Sequence, residues 1–323
     1  MKFIDYLFKN IQFNPNQGYA MFYYHKGEVF TKCLGKLKDK DSDEITLDSN
    51  FRLASVSKQF IAFAIVKLVN EGKLAYQQNI KSIFTDLPDY FENITVKHLL
   101  NHTSGIFDYE NMEHDENIQI SDGDILTFLR NTSETYFTPG SKYQYSNTGY
   151  ILLGLIISQI SKRELNEYIE TEIFKPAKMY NSKVNLEGIT NISNRAYGHI
   201  IEKDSYIVKD QYWCSATIGD GGLYSSINDL KCWCKYLNSS KEFQDMKIPN
   251  LVGNYDEYGL GIRIVKVNNN EFYFHSGSTI GTNTLLLFSV DLDLCFLFLT
   301  NINGFNTTRI KELLVEFLMN EEC

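Results

Sequence analysis

Phe51-Arg52-Leu53-Ala54-Ser55-Val56-Ser57-Lys58 runs straight into Gln59-Phe60-Ile61-Ala62-Phe63-Ala64-Ile65-Val66-Lys67-Leu68. From Lys58 to Leu68 the apolar residues wrap most of the way round a helix, which predicts burial among other elements, with Gly72 as its stop. Ser55 and Lys58 stand three residues apart, a spacing that puts both side chains on one helical face within hydrogen-bond reach. A serine hydroxyl is a weak nucleophile until a base takes its proton. A lysine serves as that base when burial or cationic neighbours favour its neutral form. The pair therefore reads as a nucleophile beside its base, although chance supplies such a spacing often enough that the pair alone assigns nothing.

Working outward, the first ten residues have helical apolar spacing, and Gly18 to Tyr24 and Glu28 to Leu34 are β-rich runs flanking His25-Lys26-Gly27, a hairpin. Lys36 to Glu44 is a polar loop. Between about 76 and 200 the pattern turns helical, at Val96 to Asn101, Ile125 to Asn131, Tyr150 to Ile160 and Leu165 to Phe174, with Asn, Gly and Pro turns between. Extended patterns return at Tyr206-Ile207-Val208, Gly259 to Val267, Glu271 to His275, Thr284 to Phe288 and Leu294 to Leu299, and Arg309 to Met319 closes the chain as an amphipathic helix. The expected fold is α/β in the α+β sense: an antiparallel sheet flanked by helices, built from 1–75 and 201–323, with an all-helical domain, 76–200, inserted and the site in the cleft between them.

Bulk properties narrow the function. A hydrophobic fraction of 43% with 14% aromatic residues describes a globular chain, and the 323 residues allow two domains or one with a large insertion. A net charge of −9 leaves no basic excess to displace counterions from a nucleic acid. The expected partner is a small molecule or short peptide. Cys33, Cys214, Cys232, Cys234, Cys295 and Cys323 are scattered, and the six histidines show no metal-binding spacing, so neither a metal nor another cofactor is expected. Asp5 and Lys9 interrupt the N-terminal apolar residues too early for a signal-peptide core, and no apolar stretch is long enough to span a bilayer. The expectation is a soluble, cytoplasmic protein.

Two further elements carry polar groups suited to the same chemistry. Tyr145-Ser146-Asn147, after Phe137-Thr138-Pro139-Gly140 and before a helix, places a phenol and an amide two residues apart on a turn. Tyr145 could relay a proton and Asn147 could hold a substrate amide; the plainer alternative is a packed tyrosine and a helix-capping Asn. His275-Ser276-Gly277-Ser278 ends a strand, where Gly277 would let a substrate backbone approach, Ser278 N–H could face an oxyanion, and His275 could add a donor or a charge. A turn histidine is the alternative.

In order and flanks these elements resemble the serine β-lactamase and penicillin-binding protein superfamily, in its class C β-lactamase, D-alanyl-D-alanine carboxypeptidase and related esterase branch. Leu99-Leu100-Asn101-His102-Thr103-Ser104-Gly105 and Gly219-Asp220-Gly221-Gly222-Leu223-Tyr224-Ser225-Ser226 extend the resemblance over nearly the whole chain. It implies that Ser55 forms an acyl-enzyme, that Lys58 and Tyr145 share the general-base and general-acid work, and that Asn147 orients the substrate amide. The backbone N–H groups of Ser55 and Ser278 form the oxyanion hole in this picture, with His275 and Gly277 on the substrate side. Which of Lys58 and Tyr145 takes the first proton stays open. True class C β-lactamases carry lysine where His275 stands, and a partly charged histidine binds a β-lactam carboxylate less reliably. The implied function is hydrolysis of a small amide, ester, D-amino-acid peptide or β-lactam. The alternative is a penicillin-binding or sensing protein acylated at Ser55 without efficient turnover. His102 reads as a hydrogen-bonded structural residue of its turn.

Overall fold

A computed structural model describes residues 2–13, 18–186, 189–203, 205–250 and 257–321. Tyr19–His25 and Glu28–Leu34 pair as the expected hairpin, and Lys26 and Gly27 turn it with φ of 47° and 88°, the left-handed pair that suits strand twist. Tyr19–His25 then pairs along its length with Leu294–Thr300 near the other end of the chain. Thr282–Ser289, Asn270–Thr279, Arg263–Val267 and Glu257–Tyr258 follow in that spatial order, completing an all-antiparallel sheet of seven strands.

Alternate residues of these strands feed two cores. Met21, Leu285, Leu287, Phe296 and Phe298 pack under the helices Phe3–Asn10 and Thr307–Glu321. Ala20, Phe22, Leu286, Phe288, Leu297 and Leu299 face the helix Lys58–Asn70 and its neighbours. Every residue of Thr282–Ser289 is buried, so its centre, Leu285 to Phe288, is continuously apolar instead of alternating.

The helices Val96–Leu100, Asp122–Leu129, Asn147–Ser161 and Leu165–Ile169 occupy the stretch read as helical. Two of them begin before their apolar periodicity does, because Ser121 Oγ accepts the Asp124 N–H and Ser146 Oγ accepts the Gly149 N–H. His199–Glu202, straddling the end of that stretch, is instead a strand and pairs with Ser205–Val208. A small second sheet, Phe51–Arg52 with Leu223–Ser225 with Lys183–Val184, ties the lead-in to Ser55 to the chain returning from the helical region. None of the described helices is long and apolar enough to cross a membrane. Cys33, Cys214, Cys232, Cys234 and Cys295 are free thiols, while Cys323 lies outside the described residues.

The helix Ile227–Ser239, not among the elements expected from the sequence, buries Ile227, Leu230, Trp233, Cys234 and Leu237 along one face and leaves Asn228, Lys231 and Lys235 off it. Its anchor is Trp233, fully buried, stacked on Phe60 at 4.2 Å, edge-on to Phe63 at 5.3 Å, and donating its indole N–H to Gln59 Oε1 at 3.0 Å. Trp233→Ala is expected to lower stability by about 3–5 kcal/mol in urea unfolding, the usual cost of emptying a large aromatic site. A loss below about 1 kcal/mol would show that this helix does not brace the Lys58–Asn70 helix.

Candidate active site

Ser55 sits on the tight turn Ala54–Ser57, and Lys58 is the first residue of the helix that continues from it. Ala54 has φ of 47°, a left-handed conformation that costs a side-chain-bearing residue roughly 1 kcal/mol or more. Packing holds it there. Leu53 N–H donates to Leu223 O at 2.8 Å, and Leu53 O accepts the Thr284 hydroxyl at 2.8 Å. Gly277 completes the clamp, since a Cβ on it would stand 2.2 Å from Leu53 O and 2.4 Å from Thr284 Oγ1. On its Cβ side Gly277 is therefore packed against the backbone of the turn that carries Ser55. What remains open is the strand's edge: Asn270–Phe274 pair with Arg263–Val267, while His275–Thr279 have no strand partner on that side among the described residues.

Lys58 is completely buried, and its Nζ has three partners: Ser55 Oγ at 3.1 Å, Asn147 Oδ1 at 2.7 Å and the carbonyl of Asp220 at 2.8 Å. Two of these are carbonyl oxygens, which only accept. They take both hydrogens of a neutral amine and leave its lone pair facing Ser55; in the ammonium form the third N–H donates to Ser55 Oγ. One geometry thus serves a base and an acid.

Tyr145 is half-buried, its ring 5.1 Å from Lys58 Nζ, 5.7 Å from the Arg263 guanidinium carbon and 4.3 Å from the His102 ring. His102 Nδ1 accepts the Ser146 N–H at 3.1 Å, so it braces the Tyr145-Ser146-Asn147 turn, as expected of a structural residue. Burial, with Lys58 nearby, holds it neutral by pushing its pKa well down. Asn147 opens its helix, and its N–H donates to Asp108 Oδ2 at 2.7 Å.

His275 is placed differently from the partly charged donor the sequence suggested. It is buried, its Nδ1–H donates to Ser276 O at 2.8 Å, and its Nε2 accepts the Tyr258 hydroxyl at 3.2 Å. Burial first, then Arg263 and Lys58, keep its pKa well below the usual histidine range, so it is neutral with both nitrogens engaged. The cation beside Tyr145 on this side is Arg263. Ser278, exposed, lines one small cavity of about 50 Å³ with Ser55, Asn147, Glu110 and Asp220. A larger cleft of about 450 Å³, between Phe22, Lys231 and Cys295, includes none of this set.

Sequence reasoning missed the carboxylates that build the site. Asp108 anchors Asn147, and Asp122 Oδ1 and Oδ2 accept the N–H groups of Ile218 and Gly219 at 2.8 and 3.1 Å, fixing the turn that presents the Asp220 carbonyl. The one signal was Gly219-Asp220-Gly221-Gly222, a turn motif enclosing an acid.

A family model described as Beta-lactamase matches residues 11–318. Penicillin-binding protein 4* of Bacillus subtilis is 29% identical over 301 residues, covering 84% of this chain; the chain spans 65% of that relative's length. The structure of a penicillin-binding protein from Bacillus halodurans superposes with a TM-score of 0.79 at 24% identity, covering 94% of this chain and 96% of that one. D-amino acid amidase of Ochrobactrum anthropi SV3, complexed with L-phenylalanine amide, superposes with a TM-score of 0.81 at 21% identity, covering 99% and 97%. These likenesses bear out the expected fold class.

Burial, against its two N–H bonds, pushes the Asp122 carboxyl up to about 7 from 3.8. A raised folded-state pKa means that the stability this group contributes is full below about pH 3.8 and is lost as pH rises through about 7. Asp122→Asn is therefore expected to flatten the fall in melting temperature between pH 4 and 8, and parallel wild-type and variant profiles would contradict that assignment.

Proposed function

The chain belongs to the beta-lactamase family, and on that basis we propose that it is a serine hydrolase working through an acyl-Ser55 intermediate on a small amide, ester, D-amino-acid peptide or β-lactam. The observation that carries this reading is the approach of buried Lys58 Nζ to Ser55 Oγ, with two carbonyl oxygens orienting the amine. Ser55 Oγ attacks the substrate carbonyl while Lys58 and Tyr145 share the proton it releases. Oxyanion charge falls between the backbone N–H groups of Ser55 and Ser278, on the wall of one cavity at the open edge of the sheet. The proton then passes to the departing amine or alcohol, and water enters to release the acyl group. Asn147 trades its bond with Lys58 for one to the substrate amide, and Gly277 and His275 act by shaping the site rather than by touching charge. The D-amino acid amidase likeness supports amide substrates.

The relative named as a penicillin-binding protein favours a second reading, in which Ser55 is acylated but the adduct is released slowly. Turnover of nitrocefin and p-nitrophenyl acetate, with intact mass after penicillin treatment, separates the two. Steady hydrolysis is expected, and a long-lived penicillin adduct without turnover would favour the sensor. Ser55→Ala is expected to cut kcat/KM for any substrate turned over by at least about 10³-fold while the protein stays folded. A Ser55→Ala protein that keeps its activity would overturn both readings.

A further inference from the structure

The cleft of about 450 Å³ away from Ser55 is walled on one side by the helix Ile227–Ser239 and on the other by strand residues that include Phe22, Phe288 and Cys295. A cysteine lines it from each side: Cys234 from the helix and Cys295 from the strand Leu294–Thr300. Cys295 stands between Tyr24 and Phe288 in the sheet register, and Cys234 is on the buried face of its helix. The two sulfurs meet, the Cys234 thiol hydrogen-bonding that of Cys295. Cys232 is a poorer partner for Cys234, because residues two apart leave a helix on different faces. Cys33 lies on the edge strand Glu28–Leu34, and Cys214 lines the Ser55 cavity.

The two thiols differ in a way that divides the work between them. Cys234 is 7% exposed, and its bond to Cys295, followed by burial, pushes its pKa well up, so it keeps its proton. Cys295 is only half-buried. A small oxidant in the cleft therefore reaches Cys295 first, with a protonated thiol already in contact behind it. An accessible sulfur backed by a protected one is the arrangement of an attacking and a resolving cysteine. Lys231 and Lys235 line the same cleft, and its one carboxylate, Asp293, already accepts the Tyr24 hydroxyl at 2.7 Å. Negative charge leaving the sulfur thus develops in a cleft with two ammonium groups.

We propose that Cys295 and Cys234 are a peroxide-responsive dithiol, which closes to a disulfide tying the helix Ile227–Ser239 to the strand Leu294–Thr300. The Cys295 thiolate attacks one oxygen of hydrogen peroxide, the O–O bond breaks, and the departing hydroxide takes up a proton to leave as water. Cys295 is then a sulfenic acid. The Cys234 sulfur attacks the Cys295 sulfur, the S–S bond forms, and the sulfenic hydroxyl leaves as water with the Cys234 proton. Two thiols are oxidised by two electrons in all, and one peroxide is reduced to two waters. The bridge falls one residue from Trp233, whose indole N–H holds Gln59 beside Lys58. It fastens the helix that braces the nucleophile's helix.

The test is a peptide map of the wild-type protein, first fully reduced, then treated with a modest excess of hydrogen peroxide, alkylated and digested without reductant. The expected product is about 2 Da lighter before alkylation, the loss of two hydrogens, and yields a linked peptide pair carrying Cys234 and Cys295 that dithiothreitol separates. Its melting temperature is expected to rise by a few degrees over the reduced protein, since the bridge closes a long loop of the unfolded chain. Cys234→Ala is expected to leave Cys295 as a sulfenic acid that dimedone captures, and Cys295→Ala to give neither adduct nor bridge. Absence of the Cys234–Cys295 pair from the wild-type map, a bridge from Cys234 to Cys232 in its place, or oxidation of Cys295 straight to its sulfonic acid with Cys234 still reduced would overturn the proposal. The wild-type map needs no variant and so does not depend on how either substitution folds.

Discussion

Lys58 Nζ, fully buried and held by Ser55 Oγ, Asn147 Oδ1 and the Asp220 carbonyl, is the constraint from which the rest of the site follows. A buried amine that can carry charge is costly unless its hydrogen-bonding groups are satisfied. Its acceptors come from the turn before its own helix, from the start of Asn147–Ser161, and from the Gly219–Gly222 turn. These segments must meet within hydrogen-bond distance of one nitrogen, and the two distant in sequence are each tied down by a buried carboxylate: Asp108 on the Asn147 N–H, and Asp122 on the N–H groups of Ile218 and Gly219. The acids are buried because they hold backbone, and burial is what raises their pKa values.

On the opposite side the sheet performs the same service for Ser55. The strained backbone of Ala54 persists because Leu53 is hydrogen-bonded to Leu223 and Thr284 and because Gly277 offers no Cβ to push the turn away. Strain of this kind survives only where the surroundings over-determine it, and here it points a nucleophile at the unpaired edge of a strand. Fold and chemistry meet at the contact between Gly277 and Leu53.

Much of this was legible in the sequence, for physical reasons. Ser55 with Lys58, and Tyr145 with Asn147, were paired by local spacing, since helix periodicity and turn residues act locally; that the two pairs meet at Lys58 Nζ was implied by the family resemblance. The hairpin at Lys26-Gly27 and the long apolar strands also followed from local pattern. Asp108 and Asp122 stayed hidden, because an acid that caps backbone far away in sequence looks like any other acid in a loop. The helix Ile227–Ser239 was overlooked although Ile227, Leu230, Trp233, Cys234 and Leu237 form a regular buried stripe. His275 lies near Tyr145, but its neutrality comes from burial beside Arg263 and from bonds to Ser276 and Tyr258, none visible in a four-residue motif.

The most direct test is to trap the covalent intermediate. The protein is incubated with a slowly released acyl donor such as a penicillin, quenched in acid, digested, and the modified peptide sequenced by tandem mass spectrometry. A single adduct on Ser55, absent when Lys58 is replaced by alanine, is the result the structure predicts. An adduct on another side chain, or labelling of Ser55 that is indifferent to Lys58, would contradict it.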